Sequence, residues 1–507
     1  MSSNHKKWVA LFIFLLLFFL HELNANSKAD LVGAAESQDW AELEALLESQ
    51  DVNGQHSDGA TALHWAVHWN NLEIVKLLIN SGANVNAAND HGVTPLFLAS
   101  ENRNIAIANN LLAAGAEATA SLPAQRETVL MRAALSGSAE ITLRLIEAGA
   151  DPNVATRKSG QTALMWAISE RHIDVVSILL ETDADIHAAS VGHFTPIMFA
   201  ARAGSVEIAK LLIQKGATPN KTTEGPAPLV IAIEQGHVPM ARFLLEEGAD
   251  PNVLMDNGNR PLSASFAIGG RQRGYDPNAP VYEPPDKELL IRELLENGAD
   301  PNGRRGVPLP GSRVFSPDGQ ASGFDRGPTD PDNFGVSRSW TDATPFWVAA
   351  HKADVKLMKM LLDAGADPSL TTADGTTALM VASGLSHAGD RYEKFWSADY
   401  AADAVEFLIG IGAPVNAVNS GGFTALHGAA FVGADTVTKL LVRQGANINA
   451  QDFAGRTAFR IAQGHKGGGM SFVSRPTTES LLSTLGADTT LGPHFNETER
   501  EEGLAVR

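Results

Sequence analysis

The first candidate for chemistry is a pair of histidines, His64 and His68, four positions apart in the sequence. On a helix this spacing places both imidazoles on one face, as a zinc site requires. No third ligand is evident near them in the sequence. We therefore expect no bound metal at this pair.

A second candidate is the glycine-rich run at residues 464–471, which also contains a lysine. Backbone amides and an ammonium group bind phosphate oxygens, but the run lacks the GxxxxGK[S/T] spacing of a phosphate-binding loop. The sequence also contains no GxSxG, HExxH or EF-hand pattern. We expect no catalytic residue and no cofactor, and we predict that the chain is not an enzyme.

The composition restricts the partners and the chemistry further. The formal net charge is −19, and such an acidic chain repels the phosphates of nucleic acid and anionic lipid. The sequence contains no cysteine, which excludes disulfides, thiolate metal sites and a cysteine nucleophile. A nucleic-acid partner is therefore not expected.

The first 27 residues have the order of a secretory signal peptide. Lys6 and Lys7 precede an unbroken apolar run at residues 8–20, and a polar stretch ending in Ser27 follows. As a helix the apolar run is about 20 Å long, against about 30 Å for the hydrocarbon core of a bilayer. We expect cleavage after Ser27, export to a periplasm or beyond the cell, and no stable membrane insertion after cleavage. An uncleaved signal anchor is the alternative.

The elements that would position any site come from an internal repeat. A short motif, usually Thr-x-Leu, recurs with spacings of 33 or 34 residues in the first part of the chain. Its eleven copies begin at residues 61, 94, 128, 162, 195, 227, 260, 344, 377, 424 and 457. Threonine caps a short helix, an Ile-Val-Lys-Leu-Leu type run forms a second amphipathic helix, and a glycine such as Gly82 ends it. Neither helix buries its apolar face alone, so the units must stack.

These motifs resemble the ankyrin-repeat family over about residues 28–490. The resemblance implies an all-α repeat solenoid of about 11–12 stacked helix-turn-helix-hairpin units. We expect these segments: signal peptide 1–27, N-terminal capping repeat 28–57, repeats 58–305, inserted hairpin loop 306–340, repeats with long loops and a C-terminal cap 341–490, and tail 491–507. At the fourth motif position the family usually has histidine, and four copies here have methionine: Met131, Met165, Met198 and Met380. We expect these methionines to pack inside the solenoid, and an adaptable binding face is the alternative.

The repeat is interrupted four times, always in the C-terminal half. Three insertions, around residues 270–286, 385–397 and 464–475, fall between the two helices of a unit. Turns between helices leave each unit at the same end, so these loops are predicted to share one edge. The fourth insertion lengthens the hairpin at residues 302–342. Long insertions in a compact fold are usually functional or disordered.

The family resemblance also implies a binding face on the concave side of the solenoid. Carried over copy by copy, it selects these residues: His68, Trp69, Phe194, Arg202, His351, Lys352, Phe423 and Phe431, with Phe453 in the last hairpin. Exposed aromatic rings are the residue type that dominates interface energetics. The alternative is that several of these rings cover the inserted loops.

Two functional hypotheses follow. The first is an exported scaffold that binds a protein partner through its concave face and its C-terminal loops. The second is an enzyme or small-ligand protein whose site lies among the inserted loops, with these candidates: His387, Asp390, Arg391, Tyr392, His465 and Lys466. A deep pocket with perturbed ionisable groups at the loops favours the second, and a flat aromatic surface favours the first.

Overall fold

The computed structural model describes most of the repeat region. The described residues are 30–220, 226–254, 258–266, 268, 286–306, 341–385, 398–464 and 474–492. The predicted signal peptide, nearly all of the inserted hairpin loop and most of the tail lie outside them. Contacts divide the chain into two units, residues 1–217 and 218–507.

A single repeat shows why the sequence folds as it does. The hydroxyl of Thr94 accepts a hydrogen bond from the N–H of Phe97 and so caps the first helix. Asn104 caps the second helix by accepting from the N–H of Ile107 at 3.0 Å. Gly115 follows that helix with a φ of +90°, a left-handed conformation that glycine adopts without a steric penalty. Capping residues and glycine therefore set the helix boundaries, as predicted.

Twelve helices are described in the first unit. They are α1 (Leu31–Glu36), α2 (Trp40–Leu46), α3 (Ala62–His68), α4 (Leu72–Asn80), α5 (Pro95–Glu101), α6 (Ile105–Ala113), α7 (Val129–Ser136), α8 (Ala139–Glu147), α9 (Ala163–Ser169), α10 (Ile173–Leu180), α11 (Pro196–Ala203) and α12 (Val206–Gln214). Strands β1 (Ser121–Leu122) and β2 (Glu127–Thr128) pair antiparallel, with Ser121 opposite Thr128. Odd-numbered helices form an inner row and even-numbered helices an outer row, because each inner helix packs on its own outer helix and on the next inner helix.

The second unit continues the same alternation of inner and outer helices. Its described helices are α13 (Pro228–Glu234), α14 (Val238–Glu246), α15 (Pro261–Ser265), α16 (Lys287–Glu296), α17 (Pro345–His351), α18 (Val355–Asp363), α19 (Ala378–Ala382), α20 (Ala398–Gly410), α21 (Ala425–Val432), α22 (Asp435–Arg443), α23 (Ala458–Gln463) and α24 (Pro476–Thr484). The chain is therefore an all-α repeat fold, as the sequence predicted.

The core lies between the two rows of helices and between successive repeats. In the repeat of α3 and α4, for example, Leu63, Ala66, Val75 and Leu78 are fully buried. Burying a side chain such as leucine or valine stabilises the fold by about 1.5–3 kcal/mol. The small alanines let the inner helices approach closely.

The four methionines of the motif are all buried in this core. Met131, Met165, Met198 and Met380 are each at most 2% exposed. The thioether sulfurs of Met198 and Met380 accept the backbone N–H of the capping threonine, at 3.5 and 3.4 Å. The packing interpretation is confirmed, and the methionines form no exposed binding face.

Histidine at this position connects one repeat to the next. Nδ1 of His64 accepts the N–H of Thr61 at 3.1 Å, so Nε2 carries the proton and donates to the carbonyl of Val93 at 3.0 Å. His427 donates in the same way to the carbonyl of Arg456 at 3.1 Å. Both ring nitrogens of His64 are thus engaged within the fold, and neither is available to form a metal site with His68.

Two other residue types replace histidine in this role. The indole N–H of Trp347 donates to the carbonyl of Thr376 at 3.0 Å, which belongs to the following repeat. Nε of Arg460 donates to the carbonyl of Leu491 at 3.1 Å. Both residues depart from the motif in the sequence, but each supplies a side-chain N–H that reaches a distant backbone carbonyl, as histidine does.

The hairpins between repeats are joined by a second set of bonds. The amide of Asn252 donates to the carbonyl of Gly298 at 2.8 Å and accepts the N–H of Asp300 at 2.7 Å. The same two bonds are made by the other members of this asparagine ladder: Asn53, Asn86, Asn153, Asn220, Asn302 and Asn416. Asn302 bonds to Gly365 and Asp367, so the ladder continues across the inserted hairpin.

The flanks of the three helix-turn insertions lie where the sequence predicted, between an inner helix and the following outer helix. Nζ of Lys352 donates to the carbonyl of Phe266 at 2.7 Å. Gly428 in α21 packs closely against Leu385, since a β-carbon at residue 428 would lie only 2.6 Å from the backbone nitrogen of Leu385. Arg475 donates to a carbonyl at the end of α21. Each flank thus contacts the inner helix of an adjacent repeat, and the loops themselves lie outside the described residues.

We predict that Asn252→Ala destabilises the second unit by about 1–2 kcal/mol, because two hydrogen bonds between repeats are lost. Urea denaturation of the full chain measures the change. Ser369→Ala is the matched control, since Ser369 occupies the same hairpin position but bonds Asp367 of its own turn at 2.6 Å. An equal loss in both variants would show that the ladder does not stabilise the stack.

The buried histidines predict a loss of stability in acid. Burial lowers the pKa of His427 below its usual 6.5, although Asp452 and the carbonyl of Arg456 act in the opposite direction. The unfolded chain therefore takes up a proton that the folded chain does not. The contribution of neutral, buried His427 to the free energy of unfolding is therefore complete above pH 6.5. It is lost as the pH falls toward the lower pKa of His427 in the folded chain.

His427→Met removes this titration with a side chain that other repeats of the chain use at the same position. We expect the free energy of unfolding of the variant to be about 1 kcal/mol lower at neutral pH, because the hydrogen bond to the carbonyl of Arg456 is removed. Its free energy of unfolding then falls less steeply with acid than that of the wild type. Urea denaturation at a series of pH values compares the two slopes, and identical slopes would contradict the assignment.

Candidate functional site

The candidate site is the surface formed by the ends of the inner helices, where the sequence placed the partner-binding residues. In the first unit, His68 is half-buried and Trp69 is 40% exposed at the end of α3. Phe194 is half-buried before α11, and Arg202 is exposed in its last turn. Of these four residues, the structure brings His68 and Trp69 into direct ring contact.

Trp69 is held in place by the preceding repeat. Its indole N–H donates to the carbonyl of Glu36 at 3.1 Å. The ring of His68 lies edge-on to Trp69 at 4.7 Å and to Trp65 at 5.6 Å between centroids. A partly exposed aromatic cluster is therefore fixed at the end of α3.

Sequence reasoning missed a charged network two repeats further along. A terminal nitrogen of Arg132 lies 2.5 Å from a carboxylate oxygen of Glu127, and another lies 3.6 Å from Glu101. The guanidinium also lies 5.4 Å from the ring centre of Phe97. Burial raises the pKa of Glu127, and the charge and hydrogen bond of Arg132 oppose that rise.

The signal that predicts such contacts is a spacing of five residues across the capping threonine. Gln161 accepts a hydrogen bond from the indole of Trp166 at 3.2 Å, and the rings of Phe194 and Phe199 meet at 5.9 Å. Glu127 and Arg132 have the same spacing. In the repeat of Trp65 the corresponding residue is alanine, and the indole N–H has no hydrogen-bond acceptor among the described residues.

In the second unit, three of the predicted residues contact insertion flanks or a neighbouring ring. His351 is half-buried and stacks on Trp347 with centroids 5.9 Å apart. Lys352 is exposed, but its ammonium group bonds the flank of the first helix-turn insertion at Phe266. Phe431 is half-buried, and its carbonyl accepts from Arg475 at 3.3 Å. Three of these residues thus contact the flanks of insertions or a neighbouring ring.

The prediction that Phe423 is an exposed aromatic of the binding face is wrong. Its side chain is 2% exposed. The ring lies edge-on to His427 at 5.9 Å, and the guanidinium of Arg456 from the next repeat lies 5.7 Å from its centre. Phe453, by contrast, is 79% exposed at a hairpin tip, where its N–H bonds the carbonyl of Gly421 at 3.1 Å.

The alternative site among the loops has no described geometry. His387, Asp390, Arg391, Tyr392, His465 and Lys466 all lie outside the described residues. A groove of about 380 Å³ lies elsewhere, between outer helices α16 and α18, and is lined in part by Arg292, Lys356 and Lys359. Among the described residues no group of three potential ligands is placed to hold a metal ion.

Comparison with known proteins accounts for the repeat. The family model described as ankyrin repeats in three copies matches residues 31–121, 117–190 and 189–255, and the single ankyrin repeat matches residues 341–373 and 421–453. Together these ranges cover more than half of the chain. No helix in the described ranges is both long enough and apolar enough to cross a membrane.

One curated relative shares part of the sequence. Palmitoyltransferase AKR1 of Lachancea kluyveri is 31% identical over 145 residues, which is 24% of this chain and 20% of that protein. The chain thus spans about a fifth of this relative's length, and the likeness extends to that portion alone. The family models, together with the stacked helix pairs and their capping threonines, show that the chain belongs to the ankyrin-repeat family.

Proposed function

We propose that the protein is an exported scaffold that binds a protein partner through the inner-helix surface of its repeats and its C-terminal loops. Ankyrin repeats in general mediate protein–protein interaction. The observation that carries the proposal is Trp69, an aromatic side chain kept 40% exposed on the inner surface and tied to the preceding repeat. Tryptophan is among the residues that contribute most to binding energy at interfaces.

Preorganisation supports binding rather than catalysis at this surface. The indole of Trp69 is held by a hydrogen bond, and the hairpins are held by the asparagine ladder. A surface that is ordered before association loses little conformational entropy when a partner binds. Phe453 supplies a second exposed aromatic, in the second unit.

The name of the curated relative describes an acyl transferase, and two observations argue against placing that activity in this chain. The match covers a fifth of that protein. The sequence of this chain contains no cysteine, so no acyl thioester can form on its side chains.

Affinity capture from the protein's own compartment tests the scaffold. We expect wild-type protein to recover a partner, and Trp69→Ala to recover about tenfold less, since a central aromatic contact contributes on the order of 1.4 kcal/mol or more. Leu143→Ala is the matched control, because Leu143 is 41% exposed on outer helix α8. Quantitative mass spectrometry compares the eluates. Equal loss in both variants, or no specific partner at all, would refute the proposal.

Export is tested separately. We expect the mature protein to begin at Lys28, and Leu16→Arg combined with Phe18→Arg to retain the full-length chain inside the cell, because charge in the apolar run prevents recognition as a signal peptide. Cell fractionation and N-terminal sequencing measure both. Matched substitutions before the run, Ser2→Arg with Ser3→Arg, leave export and cleavage intact, because positive charge ahead of the apolar run is a feature of signal peptides. An intact N-terminus on exported wild-type protein would instead indicate a signal anchor.

A further inference from the structure

The inner surface of the first three repeats combines aromatic rings with carboxylates. We call the residues Glu36, Trp65, His68, Trp69 and Glu101 the tryptophan face. Glu36, His68 and Glu101 occupy the same position, the last turn of the inner helix, in three successive repeats. The imidazole and both indoles therefore lie between two carboxylates.

The charges of this face are unbalanced toward negative. Arg132 is the nearby cation, and Glu127 already binds it at 2.5 Å. Its second contact, with Glu101, is longer at 3.6 Å. Glu36 lies 3.6 Å from His56, which is charged only when protonated. Arg103 lies in the turn after α5, two residues after Glu101 in the sequence, and is a second basic residue near this face.

His68 adds no positive charge at neutral pH. Its ring is half-buried between the two tryptophans, and that burial lowers its pKa, although the charge of Glu101 acts in the opposite direction. The neutral imidazole and the indoles present apolar faces to a partner. Tryptophan is also the aromatic side chain that attracts cations most strongly over its ring.

The spacing of the carboxylates indicates the shape of the partner. Adjacent helices pack about 10 Å apart, so residues two repeats apart are separated by about 20 Å. An extended chain covers this distance with about six residues, since each spans about 3.3 Å. A small cation meets one carboxylate at a time, whereas an extended segment reaches both and lies across Trp69.

We propose that the tryptophan face binds an extended basic segment of a partner protein, with one lysine or arginine at Glu36, another at Glu101 about six residues away, and an apolar side chain against Trp69. The inference rests on the proposed scaffold function and specifies the chemistry of its partner. Opposite charges select the segment and set its register, while the indole supplies apolar contact area. The partner's charge also complements the net acidity of the chain.

A synthetic peptide tests this site directly on the full-length protein. The probe is a capped peptide of about twelve residues that carries two lysines about six positions apart, a leucine midway, and glycine and serine elsewhere. Fluorescence polarisation measures its affinity. We expect Glu36→Gln and Glu101→Gln each to weaken binding by about threefold and the double variant by about tenfold. We expect salt to weaken it further, and a peptide with glutamine for lysine to bind at least about tenfold more weakly.

The control variant is Glu73→Gln, which removes the same charge from outer helix α4 of the repeat that contains Trp69, away from the inner surface. We expect its affinity to stay within about twofold of wild type. Equal weakening by Glu73→Gln would show that net charge alone attracts the peptide, and the proposal would fall. Equal binding of the lysine and glutamine peptides would also overturn it.

The failure of this site is distinguishable from failure of the scaffold function. If affinity capture recovers a partner that the Glu36→Gln, Glu101→Gln variant retains fully, the scaffold stands and the basic-segment site is refuted. If the captured partner is lost in that double variant and kept in Glu73→Gln, both proposals are supported. Circular dichroism of each variant verifies that the helices are intact.

Discussion

The described helix pairs depend on neighbours from adjacent repeats. The described helices are short: α15 has five residues and α20, the longest, has 13. Isolated helices below about 12–15 residues are marginal in water, so propensity alone does not maintain them. Stability comes from burying residues such as Leu63 and Leu78 between successive helix pairs. A helix pair removed from the stack would expose two apolar faces at once, which is why the units occur only as an array.

Hydrogen bonds between repeats fix the register in which the apolar faces stack. The apolar contacts are tolerant of small shifts, whereas a donor on one repeat that must reach a single carbonyl on the next is not. Histidine, tryptophan and arginine all fulfil this role at the fourth motif position, as His64, Trp347 and Arg460 show. The link to the next repeat needs a long side chain with an N–H at this position, and not a particular ring. Methionine has no N–H to donate, so it packs in the core without this link, although Met198 and Met380 accept the N–H of the capping threonine.

Much of this fold was predictable because its signals are local. The motif, the capping threonines and the helix-ending glycines each act within a few residues, so the helix pairs and the sites of insertion follow from the sequence. The burial of Phe423 was not predictable in the same way, because the side chain that covers it, Arg456, comes from the next repeat. The contacts of Arg132 likewise depend on Glu101 of the preceding repeat as well as on Glu127 of its own. Whether a side chain on the inner surface is exposed is decided by its neighbour in the stack, which a motif within one repeat does not specify.

The contacts across each capping threonine have an evolutionary consequence. Glu127 with Arg132, Gln161 with Trp166, and Phe194 with Phe199 each satisfy one another within a single repeat. An ionic, a polar or an aromatic pair therefore occupies the same two positions without changing the backbone that carries it. Each pair lies within one repeat, so paired substitutions at these two positions are a route by which selection can alter the recognition surface one unit at a time while the repeat fold stays the same.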